Sequence, residues 1–155
     1  MSRIVRARRE HVRPMATLMA RSPLLRHYRV TALGAKANLA EALREREIVL
    51  AAIDGDDVVG LAWIVVTRAL DRSAYLRLLL VSEDHQSRGV GAALLVRVER
   101  EARASRCRHV ALLVTKTNRR ARSFYERHGY AHVGDLAGFV RPGIAESLYL
   151  KSWRT

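Results

Sequence analysis

Gln86-Ser87-Arg88-Gly89-Val90-Gly91 stands between an apolar run, Tyr75-Leu76-Arg77-Leu78-Leu79-Leu80-Val81, and a segment from Val90 to Ala104 with a helical repeat. The run carries one charge, Arg77, and so continuous an apolar stretch predicts a central strand covered on both faces. After it, Leu94, Leu95, Val98 and Ala102 fall on one stripe, and Arg97, Arg100, Glu101 and Arg103 on the other, which predicts an amphipathic helix packed on a sheet. Where a strand turns directly into a helix, the first backbone N–H groups have no partner inside the helix and the helix dipole is positive there. The loop is therefore a candidate anion site. Gly89 and Gly91 would let a phosphate approach those groups and would tolerate positive φ, and Gln86 and Arg88 would add side-chain donors. The same residues also suit a glycine-rich turn that binds nothing.

Outward from this loop, residues 109–115 form a second apolar strand, and a strand, long helix and strand in that order predict a parallel crossover. Residues 48–53 and 58–66 read as an antiparallel pair joined by Asp54-Gly55-Asp56-Asp57. A short strand over 4–8 precedes a helix with Val12, Met15, Leu18 and Met19 at helical spacing, entered at Pro14. A second helix spans 35–46, with Leu39, Ala40 and Leu43 on one face. A third runs over 119–128 and stops at Gly129, and strands over 130–135 and 147–151 follow. The class is α/β: a mixed, mostly antiparallel sheet with a central parallel strand pair, flanked by helices. The 155 residues, 49% hydrophobic and without a linker-like stretch, suffice for one core, so a single domain over 1–155 is expected.

No run approaches the roughly eighteen apolar residues of a membrane span, and no apolar signal core opens the chain, so a cytoplasmic protein without membrane contact is expected. Cys107 is the only cysteine, which excludes an internal disulfide and a cysteine-rich zinc site. It reads as a small filler near a strand start, and no metal is expected. The net charge is +13, and 25 of the 28 basic residues are arginine. Such a surface attracts anions, including phosphorylated cofactors and nucleic acid. A basic nucleic-acid-binding module is accordingly the rival reading. Against it stand 6% aromatic residues, no RNA-recognition signature and no zinc-finger spacing.

Two familiar phosphate loops do not fit. Gly91 is followed by Ala92-Ala93, so the lysine and hydroxyl of a P-loop are missing; position 94 is leucine and residues 109–115 lack an acid, so the dinucleotide fingerprint fails too. Gln86-Ser87-Arg88-Gly89-Val90-Gly91 does resemble the Gln/Arg-x-x-Gly-x-Gly/Ala signature of the GNAT superfamily of N-acetyltransferases. Downstream, Asn118-Arg119-Arg120-Ala121-Arg122-Ser123-Phe124-Tyr125, followed by Gly129-Tyr130, is similar to that family's second coenzyme motif, Asn-x-x-Ala-x-x-Phe-Tyr-x-x-x-Gly-Phe/Tyr. The two motifs cover roughly residues 75–136.

The resemblance implies a GNAT-like fold and transfer of an acetyl group from acetyl-CoA to a primary amine, by direct attack within a ternary complex. It implies that the backbone of Leu79, Leu80 and Val81 pairs with the pantetheine arm, and that Gln86, Ser87, Arg88, Gly89, Val90, Gly91 and Ala92 hold the pyrophosphate. Asn118 and Ala121 would contact the coenzyme, although an asparagine before a helix is equally an N-cap. Tyr125, two helical turns beyond Asn118, would line the same groove and act as the general acid that protonates the departing thiolate.

Many relatives carry an acidic residue in the central strand, where this chain has Arg77 and Leu78, so the general base is not identified and a catalytically inactive coenzyme-binding relative is a further alternative. Asp71, Asp135 and Glu146 are other carboxylates that could serve; Glu83, Asp84 and His85 read as solvated turn residues, and Arg77 as a solvent-facing or substrate-binding cation. Many relatives are homodimers, but no interface and no acceptor can be read from these residues.

Overall fold

The computed structural model describes residues 2–154, and these divide into two compact units: the chain up to Val65 with Leu78–Glu101, and Val66–Arg77 with Ala102 onward. In the first unit, β1 (Arg3–Arg6) leads through a single 3₁₀ turn into α1 (Val12–Arg21), α2 (Pro23–His27) and α3 (Ala32–Arg44). Two hydroxyls set where these helices start. Ser22 Oγ accepts from the Leu25 N–H at 3.3 Å ahead of Pro23, and Thr31 Oγ1 accepts from the Gly34 N–H at 3.1 Å. The Thr31 cap brings α3 in three residues before the predicted start at residue 35, and α2 was not predicted.

β2 (Ile48–Asp54) and β3 (Asp57–Val66) pair antiparallel across the two-residue turn Gly55-Asp56, where Gly55 takes φ +61° as the first turn position. Val49, Ala51 and Ile53 of β2 and Leu61 and Trp63 of β3 pack with Met15, Met19, Leu39 and Ala42 to form this unit's core. Their alternation puts one strand face toward α1 and α3. The Trp63 indole donates to Glu47 at 3.0 Å, so its one polar atom is satisfied.

A left-handed turn, α4 (Ala69–Arg72), with φ of +51°, +58° and +56° at Leu70, Asp71 and Arg72, opens β4 (Ser73–Val81). α5 (Val90–Ala104), β5 (His109–Thr115), α6 (Arg119–Arg127), β6 (Ala131–Ala137) and β7 (Ala145–Ser152) complete the chain. The strand order is β1-β2-β3-β4-β5-β7-β6, with β4 and β5 parallel and the pairs β1–β2, β2–β3, β5–β7 and β6–β7 antiparallel. The predicted α/β class, mixed sheet and central parallel pair are therefore present. The insertion of β7 between β5 and β6 is a feature that local pattern does not encode.

β4 departs from its expected coverage. Ser73, Ala74 and Leu76 are buried, and these residues pair with His109–Leu112 of β5. Leu78, Leu79, Leu80 and Val81 are only half-buried.

Candidate functional site

The end of β4 and the loop after it belong to the first unit. Gly60 of β3 lets the strands approach here: a methyl group at that position would lie 3.0 Å from the Leu80 carbonyl oxygen and 3.1 Å from Leu94 of α5. The Ser82 N–H donates to the Val59 carbonyl at 2.8 Å, and the Gln86 side-chain amide donates to the Val81 carbonyl at 3.2 Å, so Gln86 ties the loop to the strand end. A chain of polar contacts fixes the loop's first turn, with His85 Nδ1 2.8 Å from Ser82 Oγ and His85 Nε2 3.3 Å from Asp54 Oδ2. His85 is thus half-buried and bonded, not the solvated turn residue expected, while Glu83 and Asp84 are exposed as expected.

Ser87 and Gly89 adopt φ of +62° and +83°, and a side chain built at Gly89 would meet no heavy atom within 4 Å. Gly89 faces open space because it is the point where the backbone presents itself to solvent. Its carbonyl accepts from the Ala93 N–H at 3.0 Å, the first bond of α5. The N–H groups of Val90, Gly91 and Ala92 therefore precede the helical ladder and have no partner within it. The Val90 side chain is buried and anchors the turn, while Ser87, Arg88 and Gly89 are exposed. The arrangement can bind an anion with backbone donors and a helix dipole.

Asn118, Ala121 and Tyr125 belong to the second unit. Asn118 Oδ1 accepts from the Ala121 N–H at 3.2 Å, so the asparagine caps α6, one of its two expected roles. One face of α6 carries Tyr125, which is 7% exposed, with ring centroids 5.1 Å from Phe124, 5.6 Å from Tyr130 and 6.5 Å from Tyr149. No hydrogen bond reaches the Tyr125 hydroxyl among the described residues, yet none of their buried polar side-chain atoms lacks a partner. The hydroxyl is therefore not fully enclosed. Burial pushes its pKa well above the ordinary 10, so the phenol is a protonated donor throughout the physiological range.

Tyr149, fully buried behind it, donates from its hydroxyl to Glu126 at 2.7 Å and accepts from Arg122 Nε at 2.9 Å. This network joins β7 to α6, and the sequence reading missed it because Tyr149, which bridges the Arg122/Glu126 pair of α6, lies 27 and 23 residues from them.

Of the carboxylates considered as bases, two are committed elsewhere. Asp135 accepts from Ser147 Oγ at 2.7 Å, lies 2.9 Å from His132 Nε2 and pairs with Lys116 at 3.4 Å. The Ser147 hydrogen bond first, then His132 and Lys116, hold its pKa down at about 2. Asp71 is ion-paired with Arg108 and lies 3.3 Å from His109; the Arg108 hydrogen bond is the main cause of its lowered pKa. Carboxylates so stabilised as anions are poor proton acceptors at neutral pH. Glu146 is the buried carboxylate of the three, 3% exposed. Arg77 is exposed. Cys107 lies two residues before β5, near a strand start as expected, and is buried more deeply than the half-buried filler anticipated; burial raises its thiol pKa. Among the described residues no group of three or more His, Cys, Asp or Glu side chains is placed to hold a metal ion, and no helix is long and apolar enough to cross a membrane.

The model of the acetyltransferase (GNAT) family matches residues 15–130. Solved structures repeat the fold over nearly the whole chain. An N-acetyltransferase from Staphylococcus aureus Mu50 is 16% identical, with a TM-score of 0.82 over 98% of either chain. A ribosomal-protein-alanine N-acetyltransferase from Brucella melitensis is 17% identical, with a TM-score of 0.79 over 97% of this chain and 99% of that one. An aminoglycoside 6'-N-acetyltransferase complexed with coenzyme A is 17% identical, with a TM-score of 0.81 over 97% of this chain and 96% of that one. Among curated proteins, the uncharacterized protein YdhI of Bacillus subtilis (strain 168) is 38% identical over 45 residues; the match spans 29% of this chain and 28% of that protein's length.

Proposed function

The chain belongs to the acetyltransferase (GNAT) family, and from that membership we propose that it transfers an acetyl group from acetyl-CoA to a primary amine. The observation that carries this reading is the start of α5. Three backbone N–H groups without helical partners, at Val90, Gly91 and Ala92, follow a glycine of positive φ whose surroundings are open. A pyrophosphate satisfies those donors and the positive helix end together, and Arg88 adds an exposed cation. The backbone of Leu79 to Val81 receives the pantetheine arm as an added strand would, and half-burial of these side chains supports that role. By their match to the family's second coenzyme motif, Asn118 and Ala121 at the α6 entry are taken as further coenzyme contacts.

In the reaction the amine nitrogen attacks the thioester carbonyl carbon, the tetrahedral oxyanion collapses, and the carbon–sulfur bond breaks. Tyr125 gives its phenolic proton to the departing thiolate. The departing thiolate, whose conjugate acid has a pKa of about 8.5, is a weaker base than this phenolate, so the transfer is uphill and proceeds because it is coupled to carbon–sulfur cleavage and the phenolate is then reprotonated from solvent. The proton lost by the amine passes to a base, a role for which Asp71 and Asp135, held as weakly basic anions, are poorly suited. The net charge of +13 argues against a polycationic acceptor and for a neutral or acidic amine.

Coenzyme A should raise the melting temperature of the protein, because a ligand of the folded state alone adds about 2.7 kcal/mol at a hundred times its Kd. Release of free thiol from acetyl-CoA, scanned over amines, amino acids and peptide N-termini, identifies the acceptor. Absence of any shift at millimolar coenzyme A, with tight and salt-resistant binding of nucleic acid instead, overturns the enzyme reading in favour of a basic binding module.

A further inference from the structure

At the C-terminal end of α5 the second unit has a cavity of about 590 Å³, lined by Arg103, Arg106, Cys107, Arg108, Trp153 and Arg154. Four guanidinium groups share it. Arg103 stacks on the Trp153 ring with its Cζ 4.5 Å from the centroid, and Lys151 Nζ lies 5.8 Å from the same ring. Arg108 is ion-paired with Asp71, whereas Arg106 and Arg154 have no carboxylate partner among the described residues.

The helix end repeats those of α2 and α3, where Arg29 (φ +59°) and Arg46 (φ +58°) hold the same place. The Cys107 N–H bonds the Ala102 carbonyl and the Arg106 N–H bonds the Arg103 carbonyl, each at 2.9 Å, which is a Schellman stop with Arg106 at the left-handed position, φ +61°. Glycine is the usual residue there, and an arginine is tolerated at a conformational cost. Cations at a helix C-terminus complement the dipole, which accounts for Arg103 and Arg106. It does not account for Arg154 and Trp153, which come from the end of the chain, or for the concave shape.

We propose that this cavity is a second anion site, separate from the coenzyme loop, that takes a nucleotide unit. The base lies on the Arg103–Trp153 pair, and the phosphates lie on Arg106, Arg108 and Arg154. Guanidinium planes and indoles are the surfaces on which unstacked bases rest, and unpaired arginine forks match phosphate oxygens. An acidic peptide would use the arginines but not the stack. The cavity is of the size that encloses a small ligand, not of an extended groove. The buried Cys107 thiol stays neutral and so does not oppose an anion.

The test uses the full chain with ATP, a short uridine oligonucleotide and an oligoglutamate peptide as probes, read by calorimetry and by indole fluorescence. The second tryptophan, Trp63, is buried and bonded to Glu47, so quenching should come from Trp153 and vanish in Trp153→Phe. ATP or the oligonucleotide should bind at near-physiological salt. The pair Arg106→Glu and Arg154→Glu should weaken that binding at least about tenfold while leaving the KM for acetyl-CoA in acetyl transfer unchanged, and Arg106→Gly, which relaxes the left-handed backbone, should weaken it without loss of fold. Binding should persist in Gly89→Val, whose lesion lies in the coenzyme loop. Tighter binding of the oligonucleotide assigns the site to a strand, and equal binding to a free nucleotide. The proposal fails if neither nucleotide probe binds, if binding is lost in Gly89→Val and kept in the arginine variants, or if oligoglutamate binds as tightly as ATP.

Discussion

The turn at Gly89 and the surroundings of Tyr125 solve different problems with different materials. At the turn the groups offered to a ligand are backbone N–H donors, and the side chains mainly hold the backbone in place: Val90 is buried beneath it, Gln86 is bonded to Val81, and His85 reaches Asp54. Around Tyr125 the group offered is one phenol, and its properties are set by side chains from α6 and β7, with Tyr149 fixed between Arg122 and Glu126. A backbone site is sensitive to conformation and tolerant of side-chain change. A side-chain site in a buried cluster is the reverse.

The largest effect should therefore come from one atom. Tyr125→Phe keeps the ring packing and removes the hydroxyl, so kcat for acetyl transfer should fall by about 10² or more while KM for acetyl-CoA changes by no more than about twofold. An equal loss of kcat and of coenzyme affinity would make Tyr125 a binding or packing residue and break the comparison. Because burial raises the phenol pKa, the wild-type kcat should show no decline attributable to this group up to about pH 10.

At the turn, the contrast lies between a backbone lesion and a side-chain lesion. Gly89→Val forces a β-branched residue to φ +83° and should weaken coenzyme A binding by about a hundredfold, measured by calorimetry, with circular dichroism confirming a folded protein. Arg88→Ala removes a charge from the same loop and should cost only a few-fold. Similar losses in both variants would mean that side-chain charge, not backbone geometry, holds the ligand.

This difference also explains what could be read from the sequence. Gly89, Gly91, Asn118 and the helical stripe of α5 are local signals, so the loop, the α6 cap and the central β4–β5 crossover could be located before any coordinates were known. The β7 insertion, the Ser147 bond to Asp135 and the Tyr149 bonds to Arg122 and Glu126 depend on partners 12 to 27 residues apart whose pairing no local pattern specifies. Gly60 is an intermediate case. A lone glycine within a strand signals close backbone approach, but only the structure shows that the approaching group is the Leu80 carbonyl, at the strand end that precedes the Gly89 turn. Gly60→Ala should cost about 1–3 kcal/mol in urea unfolding and weaken coenzyme binding with it. A loss of stability with unchanged binding would separate the loop from its support.

The smallest effect should appear at Asp135, and pH isolates it. Its pKa, about 2 in the folded chain, lies below the unfolded value of about 3.9, so the folded state binds fewer protons between these limits. The group therefore contributes stability that is present above about pH 4 and is lost as pH falls toward 2. Asp135→Asn removes this contribution while keeping acceptor capacity for Ser147 and His132. The melting temperature of the variant should lie slightly below wild type at pH 7 and converge on it by about pH 2. Because a carboxylate held as an anion is a weak proton acceptor, kcat at neutral pH should remain within about twofold. A large fall in kcat with an unchanged melting curve would return Asp135 to the chemistry, and would show that the polar cluster on β6 and β7 belongs to the catalytic half of the comparison.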